Sequence, residues 1–167
     1  MTDEEIMNHA IIQARKALEL GEVPIGAVIV QNGQIIAAGC NSVITNSDPT
    51  AHAEIQAIRQ AGKILGNYRL PEAELFVTIE PCVMCAGALI HSRIKRIVFG
   101  ASEQRTGGIS SVYSILQDGL LNHTTIITSG VLEEECRQLM QNFFRQRREE
   151  QKLAKARLKK NSEDKNE

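Results

Sequence analysis

The sequence contains 167 residues, of which 43% are hydrophobic and 23% are charged. This length is typical of a single domain, and this composition excludes a wholly disordered or low-complexity chain. Uninterrupted apolar runs such as residues 25–30 are much shorter than the roughly 18 residues that a membrane helix needs. The acidic N-terminus also differs from the basic and then apolar start of a signal peptide, so we expect a soluble, cytoplasmic protein.

Charge is distributed unevenly along the chain, although the formal net charge is only −1. Residues 1–144 contain ten Lys or Arg and fifteen Asp or Glu, whereas residues 145–160 contain eight basic and two acidic side chains. A basic segment attached to an acidic body favours a polyanionic partner, although a solvated helix face has the same composition.

The first half of the chain predicts a helix, a hairpin and a second helix. Thr2 and Glu5 form a capping-box pattern, and apolar residues at helical spacing follow until Gly21. Two strand-like runs, residues 25–31 and 34–39, flank the hairpin dipeptide Asn32-Gly33. A polar loop over residues 41–50 leads into a helix over residues 51–62, which we expect to end at a glycine.

The second half predicts alternating strands and helices. Strands are expected over residues 74–79, 95–100 and 124–129, a helix over 82–91 after Pro81, and a long helix from Val131. This order predicts a three-layer α/β/α sandwich with a five-stranded mixed sheet. We expect one domain over residues 1–150 and a basic to polar, partly disordered tail over residues 151–167.

Two short segments carry the chemistry, and each opens a predicted helix. His52 and Glu54 begin one, and Cys82 and Cys85 begin the other. Two thiolates and one imidazole suit zinc, and three protein ligands leave the fourth tetrahedral position open, as in catalytic sites. Glu54 is then the candidate that moves a proton between water and substrate.

Other interpretations of these residue types remain open. Cys-x-x-Cys alone also occurs in redox sites and structural zinc sites. His91 is an alternative third ligand, but it follows Cys85 by six residues on the same helix, so we expect a structural role there. We expect surface or capping roles for His9 and His123, and small buried side chains at Cys40 and Cys136.

The spacing His-x-Glu followed by Pro-Cys-x-x-Cys is the known signature of zinc-dependent nucleobase deaminases, a class that includes tRNA adenosine deaminases. The chain resembles the bacterial tRNA-specific adenosine deaminases over about residues 3–148. The resemblance is carried by the stretches EVPIGAVIV, DPTAHAEI, NYRL and EPCVMCAGALIHSRI, by the loop at Thr106-Gly107 and by NFFRQRR.

The resemblance implies a cytidine-deaminase-like fold and hydrolytic conversion of a wobble adenosine to inosine in a tRNA anticodon, with tRNA-Arg bearing ACG as the expected substrate. It also implies a homodimer with one zinc ion per subunit. The implied zinc ligands are His52, Cys82 and Cys85, the implied proton shuttle is Glu54, and the implied substrate-binding residues are Asn41, Ala53, Glu103, Arg145, Arg147 and Arg148.

Two implied RNA contacts carry alternatives. Glu103 stands where the family often has the shorter aspartate, which leaves its contact with RNA open. Phe143 and Phe144 lie in the region implied to meet the anticodon loop, but we favour core or dimer packing as their role.

Two rival functions share parts of this pattern. A deaminase of a free base or nucleoside, such as guanine, cytosine or cytidine, would use the same zinc chemistry, although the basic C-terminal segment argues against it. A non-catalytic RNA-binding subunit with structural zinc would have no need of Glu54.

Overall fold

The computed structural model describes residues 1–116 and 123–166. Helix α1 spans Asp3–Glu19 and begins with the predicted capping box. The Glu5 N–H donates to Thr2 Oγ1 at 3.2 Å, and the Thr2 N–H donates to the Glu5 carboxylate at 2.7 Å. These bonds satisfy N–H groups that have no partner within the helix, which fixes where the helix starts.

Five strands form one sheet in the order β2-β1-β3-β4-β5. The pair β1–β2 and the pair β1–β3 are antiparallel, whereas β3–β4 and β4–β5 are parallel, which confirms a mixed sheet. Asn32 and Gly33 join β1 to β2 with positive φ angles of 52° and 73°, the geometry of the predicted hairpin turn. The strands are β1 (Gly26–Gln31), β2 (Gln34–Cys40), β3 (Ala73–Ile79), β4 (Arg96–Ala101) and β5 (Ile126–Ser129).

Helices cover both faces of the sheet. The remaining helices are α2 (Ala53–Leu65), α3 (Val83–His91) and α4 (Glu133–Asp164). Alternate residues of β3 face opposite sides, since Leu75 and Val77 pack with α2 and α3, while Phe76 packs with α1 and α4. The predicted three-layer α/β/α sandwich is therefore confirmed.

Two helices extend beyond their predicted limits. Helix α2 passes Gly62 and ends at Gly66, whose φ of 63° supplies the left-handed residue that closes a helix. Helix α4 continues through residues 151–164, the segment expected to be partly disordered, so the boundary predicted at residue 150 falls inside a helix. Residue 167 lies outside the described residues.

The position of α2 depends on a glycine in the neighbouring strand. A Cβ on Gly39 would overlap the Ala53 carbonyl oxygen and lie 2.7 Å from the Ala57 nitrogen. The missing side chain lets the first turns of α2 rest directly on β2. In the described part of the chain, no helix combines the length and apolar character needed to cross a membrane.

Candidate active site

Three side chains meet where α2 and α3 begin. His52 is the N-cap residue of α2, Cys82 is the N-cap residue of α3, and Cys85 lies in the first turn of α3. His52 Nδ1 lies 3.7 Å from Cys82 Sγ and 3.5 Å from Cys85 Sγ. The three ligand atoms all lie within 4.8 Å of one another, an arrangement that can hold a metal ion.

The sheet topology explains this meeting. Strands β2 and β3 both run antiparallel to β1, so they point in the same direction and their carboxyl ends lie at one edge. Helices α2 and α3 follow those ends and pack on the same face of the sheet. Their N-termini therefore converge, and the partial positive charge of both helix ends favours anionic side chains there.

The pKa values of Cys82 and Cys85 shift in opposite directions because the two thiols share a hydrogen bond. The hydrogen bond with Cys85, assisted by His52, lowers the pKa of Cys82 to about 4 despite partial burial. The same pairing, together with burial, raises the pKa of the Cys85 thiol, and the hydrogen bond with Cys82 raises the pKa of His52. A metal ion binds cysteine as the thiolate, so a bound cation would displace the remaining thiol proton.

Glu54 follows His52 by two residues in the first turn of α2, and it is not one of the three clustered residues. Its side chain is almost fully buried, with an exposed fraction of 3%. Burial raises the pKa of Glu54 to about 7, and the neighbouring charge of His52 opposes this shift. A carboxyl group with that pKa can both accept and donate a proton near neutral pH.

Asn41 lies between β2 and the segment that enters α2. Its backbone N–H donates to the Ile25 carbonyl at 3.1 Å, and the next residue, Ser42, donates to the Ala51 carbonyl at 2.9 Å. Among the described residues, the buried Asn41 Oδ1 has no hydrogen-bond partner. A buried acceptor without a partner is costly, so this atom is available to a donor from outside the chain. Ala53, the first residue of α2, is fully buried in the core between α2 and the sheet.

A groove lies between the segment after β4 and helix α4. We call it the loop–helix groove; its volume is about 460 Å³, and its lining includes Glu103, Arg105, Arg137, Phe144, Arg145 and Arg148. Three predicted substrate-binding residues, Glu103, Arg145 and Arg148, therefore share one surface. Phe144 is 44% exposed there.

Arg147 faces a different surface. Its guanidinium donates to the Gly21 carbonyl at 2.9 Å and lies 5.1 Å from the centre of the Phe143 ring. Phe143 is buried, which agrees with the packing interpretation of this residue. Arg147 thus joins α4 to the end of α1, while Arg145 and Arg148 line the groove.

The remaining histidines and cysteines lie outside the group formed by His52, Cys82 and Cys85, which we call the metal cluster. His9 is exposed on α1, and His91 is exposed at the end of α3. His123 Nε2 lies 2.7 Å from the Ile94 carbonyl oxygen. Cys136 is buried as expected, whereas Cys40 is only half-buried because it ends β2 beside Ser42.

Sequence reasoning does not single out Glu80, although it directly precedes Pro81 and Cys82. Its side chain is buried, and its carboxylate accepts hydrogen bonds from the loop after β4. Burial would raise the pKa of Glu80, but bonds from Ser110 and Ser111 outweigh it and leave the pKa below the usual range. The only signal in the sequence is an acidic residue at the end of an apolar strand.

Comparison with known proteins places the chain among deaminases. The family model of MafB19-like deaminases matches residues 1–148. The tRNA-specific adenosine deaminase of Haemophilus influenzae is 54% identical over 158 residues, which cover 94% of this chain and 91% of that protein.

Two solved structures share the fold. One, from a study of A-to-I editing by tRNA:A34 deaminases, aligns with a TM-score of 0.79 at 41% identity and covers 81% of this chain and 98% of that chain. The guanine deaminase of Bacillus subtilis aligns with a TM-score of 0.60 at 45% identity, over 61% of this chain and 66% of that chain. The chain therefore belongs to the MafB19-like deaminase family and, within it, to the tRNA-specific adenosine deaminases.

Proposed function

We propose that this chain is a zinc-dependent hydrolase that converts the wobble adenosine of a tRNA anticodon to inosine, with tRNA-Arg bearing ACG as its substrate. The observation that carries the proposal is the convergence of His52, Cys82 and Cys85 at two helix N-termini, next to a buried carboxylate, Glu54, that is not a ligand. A purely structural metal site has no use for such a carboxylate.

The donor set fits one zinc ion per chain. A tetrahedral zinc ion with Zn–S of about 2.3 Å and Zn–N of about 2.0 Å places sulfur about 3.5 Å from nitrogen. The measured separations between His52 Nδ1 and the two sulfurs are 3.7 and 3.5 Å. Two thiolates neutralise the charge of Zn²⁺, and three protein ligands leave one position open.

When bound, zinc would activate a water molecule for attack near neutral pH. Glu54 would accept one proton from that water and deliver it to the purine ring nitrogen, and it would then carry the second proton, from the hydroxyl group added at C6, to the departing amine. A bond forms between C6 and the water oxygen, the bond between C6 and the exocyclic amine breaks, and ammonia leaves. Asn41 Oδ1, buried and without a partner among the described residues, would accept a hydrogen bond from the base, beside Ala53.

The loop–helix groove supports an RNA substrate rather than a free base. Arg105, Arg145 and Arg148 can attract phosphates from its walls, and the exposed ring of Phe144 can stack on an unpaired base. We propose that Glu103 and these groups receive the anticodon stem-loop. Arg147, which bonds to Gly21, would contribute mainly by holding α4 in place.

We also propose a homodimer that works in the cytoplasm. Val83 and Met84, on the first turn of α3 next to Cys82, are 44% and 36% exposed. Large apolar side chains at the mouth of a site are typical of a surface that a partner subunit covers. Light scattering of the purified protein should give twice the chain mass of 18.4 kDa.

One assay tests the proposed reaction. The zinc-loaded protein is incubated separately with tRNA bearing an ACG anticodon, free adenosine, cytidine and guanine, and each product is analysed. Inosine at the first anticodon position supports the proposal. Turnover of guanine alone would favour a free-base deaminase, the second candidate, because a guanine deaminase shares this fold.

A further inference from the structure

Glu80 lies immediately after β3, and its carboxylate accepts several hydrogen bonds from one segment of the chain. Oε2 accepts three backbone N–H groups, from Ile109 at 3.1 Å, Ser110 at 2.9 Å and Ser111 at 3.0 Å. Oε1 accepts the Glu103 N–H at 3.2 Å and the Ser111 hydroxyl. We call residues 103–111 the Glu80-bound loop.

The Glu80-bound loop connects the metal cluster with the loop–helix groove. At one end, Glu103 and Arg105 line the groove. In the middle of the loop, Gly107 pairs with the metal-cluster residue Cys82, and the Gly108 N–H donates to the Pro81 carbonyl at 2.8 Å. Five hydrogen bonds to the Glu80 carboxylate therefore hold the backbone of the loop that joins the metal cluster to the groove.

The fit leaves no room for side chains between the carboxylate and the loop. A Cβ on Gly107 would overlap Glu80 Oε2, and a Cβ on Gly108 would lie 2.9 Å from the Cys82 carbonyl carbon. Glu80 itself is only 2% exposed. A buried carboxylate with five donors orders the backbone that supplies them, because each donor would otherwise lose its partner.

We propose that Glu80 is a positioning residue that holds the Glu80-bound loop in the shape that receives the tRNA substrate. It acts through the loop, since its carboxylate bonds to Glu103 and to residues 109–111 and belongs to neither the metal cluster nor the groove lining. This inference rests on the proposed function. It adds that substrate affinity depends on a buried side chain that touches no RNA.

The first test measures how strongly Glu80 orders the loop, and it needs no substrate. In Glu80→Gln, the side-chain amide places its own N–H groups against backbone N–H donors. Amide hydrogen exchange at Ile109, Ser110 and Ser111 should then become at least about tenfold faster than in the wild type. Glu72→Gln, at an exposed carboxylate, is the matched control and should leave exchange there unchanged. Unchanged exchange in Glu80→Gln would overturn the proposal.

The second test measures the consequence with zinc-loaded protein and a tRNA bearing an ACG anticodon. Glu80→Gln should raise KM by about tenfold, change kcat by less than about threefold and keep one zinc per chain. Ser111→Ala, which removes only the hydroxyl donor, should fold like the wild type and raise KM by about threefold. Glu80→Asp, which keeps the charge, should recover part of the affinity lost in Glu80→Gln.

The outcomes separate this inference from the proposed function. If the wild-type protein deaminates no tRNA, the proposed function fails, while the exchange experiment still reports on the loop. If the wild type is active but neither Glu80→Gln nor Ser111→Ala raises KM, the inference fails alone. Activity loss in proportion to zinc loss would place Glu80 in support of the metal cluster and would also overturn the inference.

Discussion

In the proposed mechanism Glu54 transfers protons and does not bind the metal, which agrees with its absence from the group of His52, Cys82 and Cys85. Glu54→Gln should keep the fold and the zinc, while deamination falls by about 10²- to 10⁴-fold through loss of the proton-transfer group. Cys85→Ala should instead lose metal, since one of three ligands is gone. Metal analysis and turnover of both variants provide the check.

Two results would contradict this assignment at Glu54. Loss of zinc from Glu54→Gln would make Glu54 a fourth ligand and the site structural. Full activity in Glu54→Gln would move the proton-transfer role to another group. Glu72→Gln, an exposed carboxylate beside Lys95, controls for the general effect of removing a charge.

At the scale of the secondary-structure elements, α2 packs directly on β2 at Gly39. Gly39→Ala places a methyl group against the backbone of Ala53 and Ala57, so α2 must move away from β2. We expect a loss of about 1–3 kcal/mol in the free energy of unfolding. Zinc affinity should also fall, because His52 moves with the helix. Urea denaturation and competition with a zinc chelator measure the two effects.

The control for Gly39→Ala is Gly87→Ala on α3, where an added Cβ meets nothing within 4 Å. Alanine favours a helix by up to about 1 kcal/mol over glycine, so Gly87→Ala should be neutral or stabilising. Equal stability of the two variants would show that the close approach of α2 to β2 is unimportant.

Helix α1 is tied to the sheet by an ion pair whose strength depends on pH. Arg96 Nη2 lies 2.6 Å from Asp3 Oδ2, and Arg96 Nη1 lies 2.9 Å from Glu74 Oε2. The hydrogen bond from Arg96 lowers the pKa of Asp3 below 3.8. The stability that Asp3 contributes is therefore present above that pH and is lost as the pH falls through the lower, folded-state pKa.

Asp3→Asn should consequently lower the free energy of unfolding by up to about 1 kcal/mol at pH 7, a modest effect because the pair is partly exposed. The difference from the wild type should shrink as the pH falls below 3.8. Urea denaturation at pH 7 and pH 3 checks this. Glu4→Gln, at an exposed neighbour in the same helix turn, should show a smaller difference; equal effects would assign the stability to helix charge alone.

Across the whole molecule, charge is divided between residues 1–144, which are net acidic, and the part of α4 over residues 145–160, which is net basic. We expect Arg145→Ala combined with Arg148→Ala to weaken binding of an anticodon stem-loop and to reduce the salt slope by about two, one for each lost phosphate contact. Arg147→Ala is the matched control, since its guanidinium bonds to Gly21. It should lower stability more than it changes the salt slope.

Truncation before Lys152 tests the last turns of α4 in the same titration. It removes six basic residues, so the salt slope should flatten, yet deamination should persist because the metal cluster and Glu54 lie elsewhere. We expect a smaller loss of affinity than in the double arginine variant. Identical slopes in all variants would mean that α4 is a solvated helix and that RNA binds on another surface.

Local sequence patterns determined most of the architecture and the reactive centre. Thr2 and Glu5 predicted where α1 begins, Asn32-Gly33 predicted the hairpin, and both succeed because their hydrogen bonds and dihedral angles involve near neighbours. The grouping of His52 with Cys82 and Cys85 was also predicted, since each lies at the start of a helix that follows a strand. The predicted end of α2 at Gly62 was wrong, because packing overrides the low helix propensity of one glycine.

Only the tertiary structure decided which side chains that are distant in sequence contact one another. Glu80 reaches partners 29 to 31 residues away, so no local pattern marks it. The sequence places Arg145, Arg147 and Arg148 in one basic run, but successive helical residues point about 100° apart. The fold turns Arg145 and Arg148 to the groove and Arg147 to Gly21, because burial of Phe143 sets the rotation of α4 against the body.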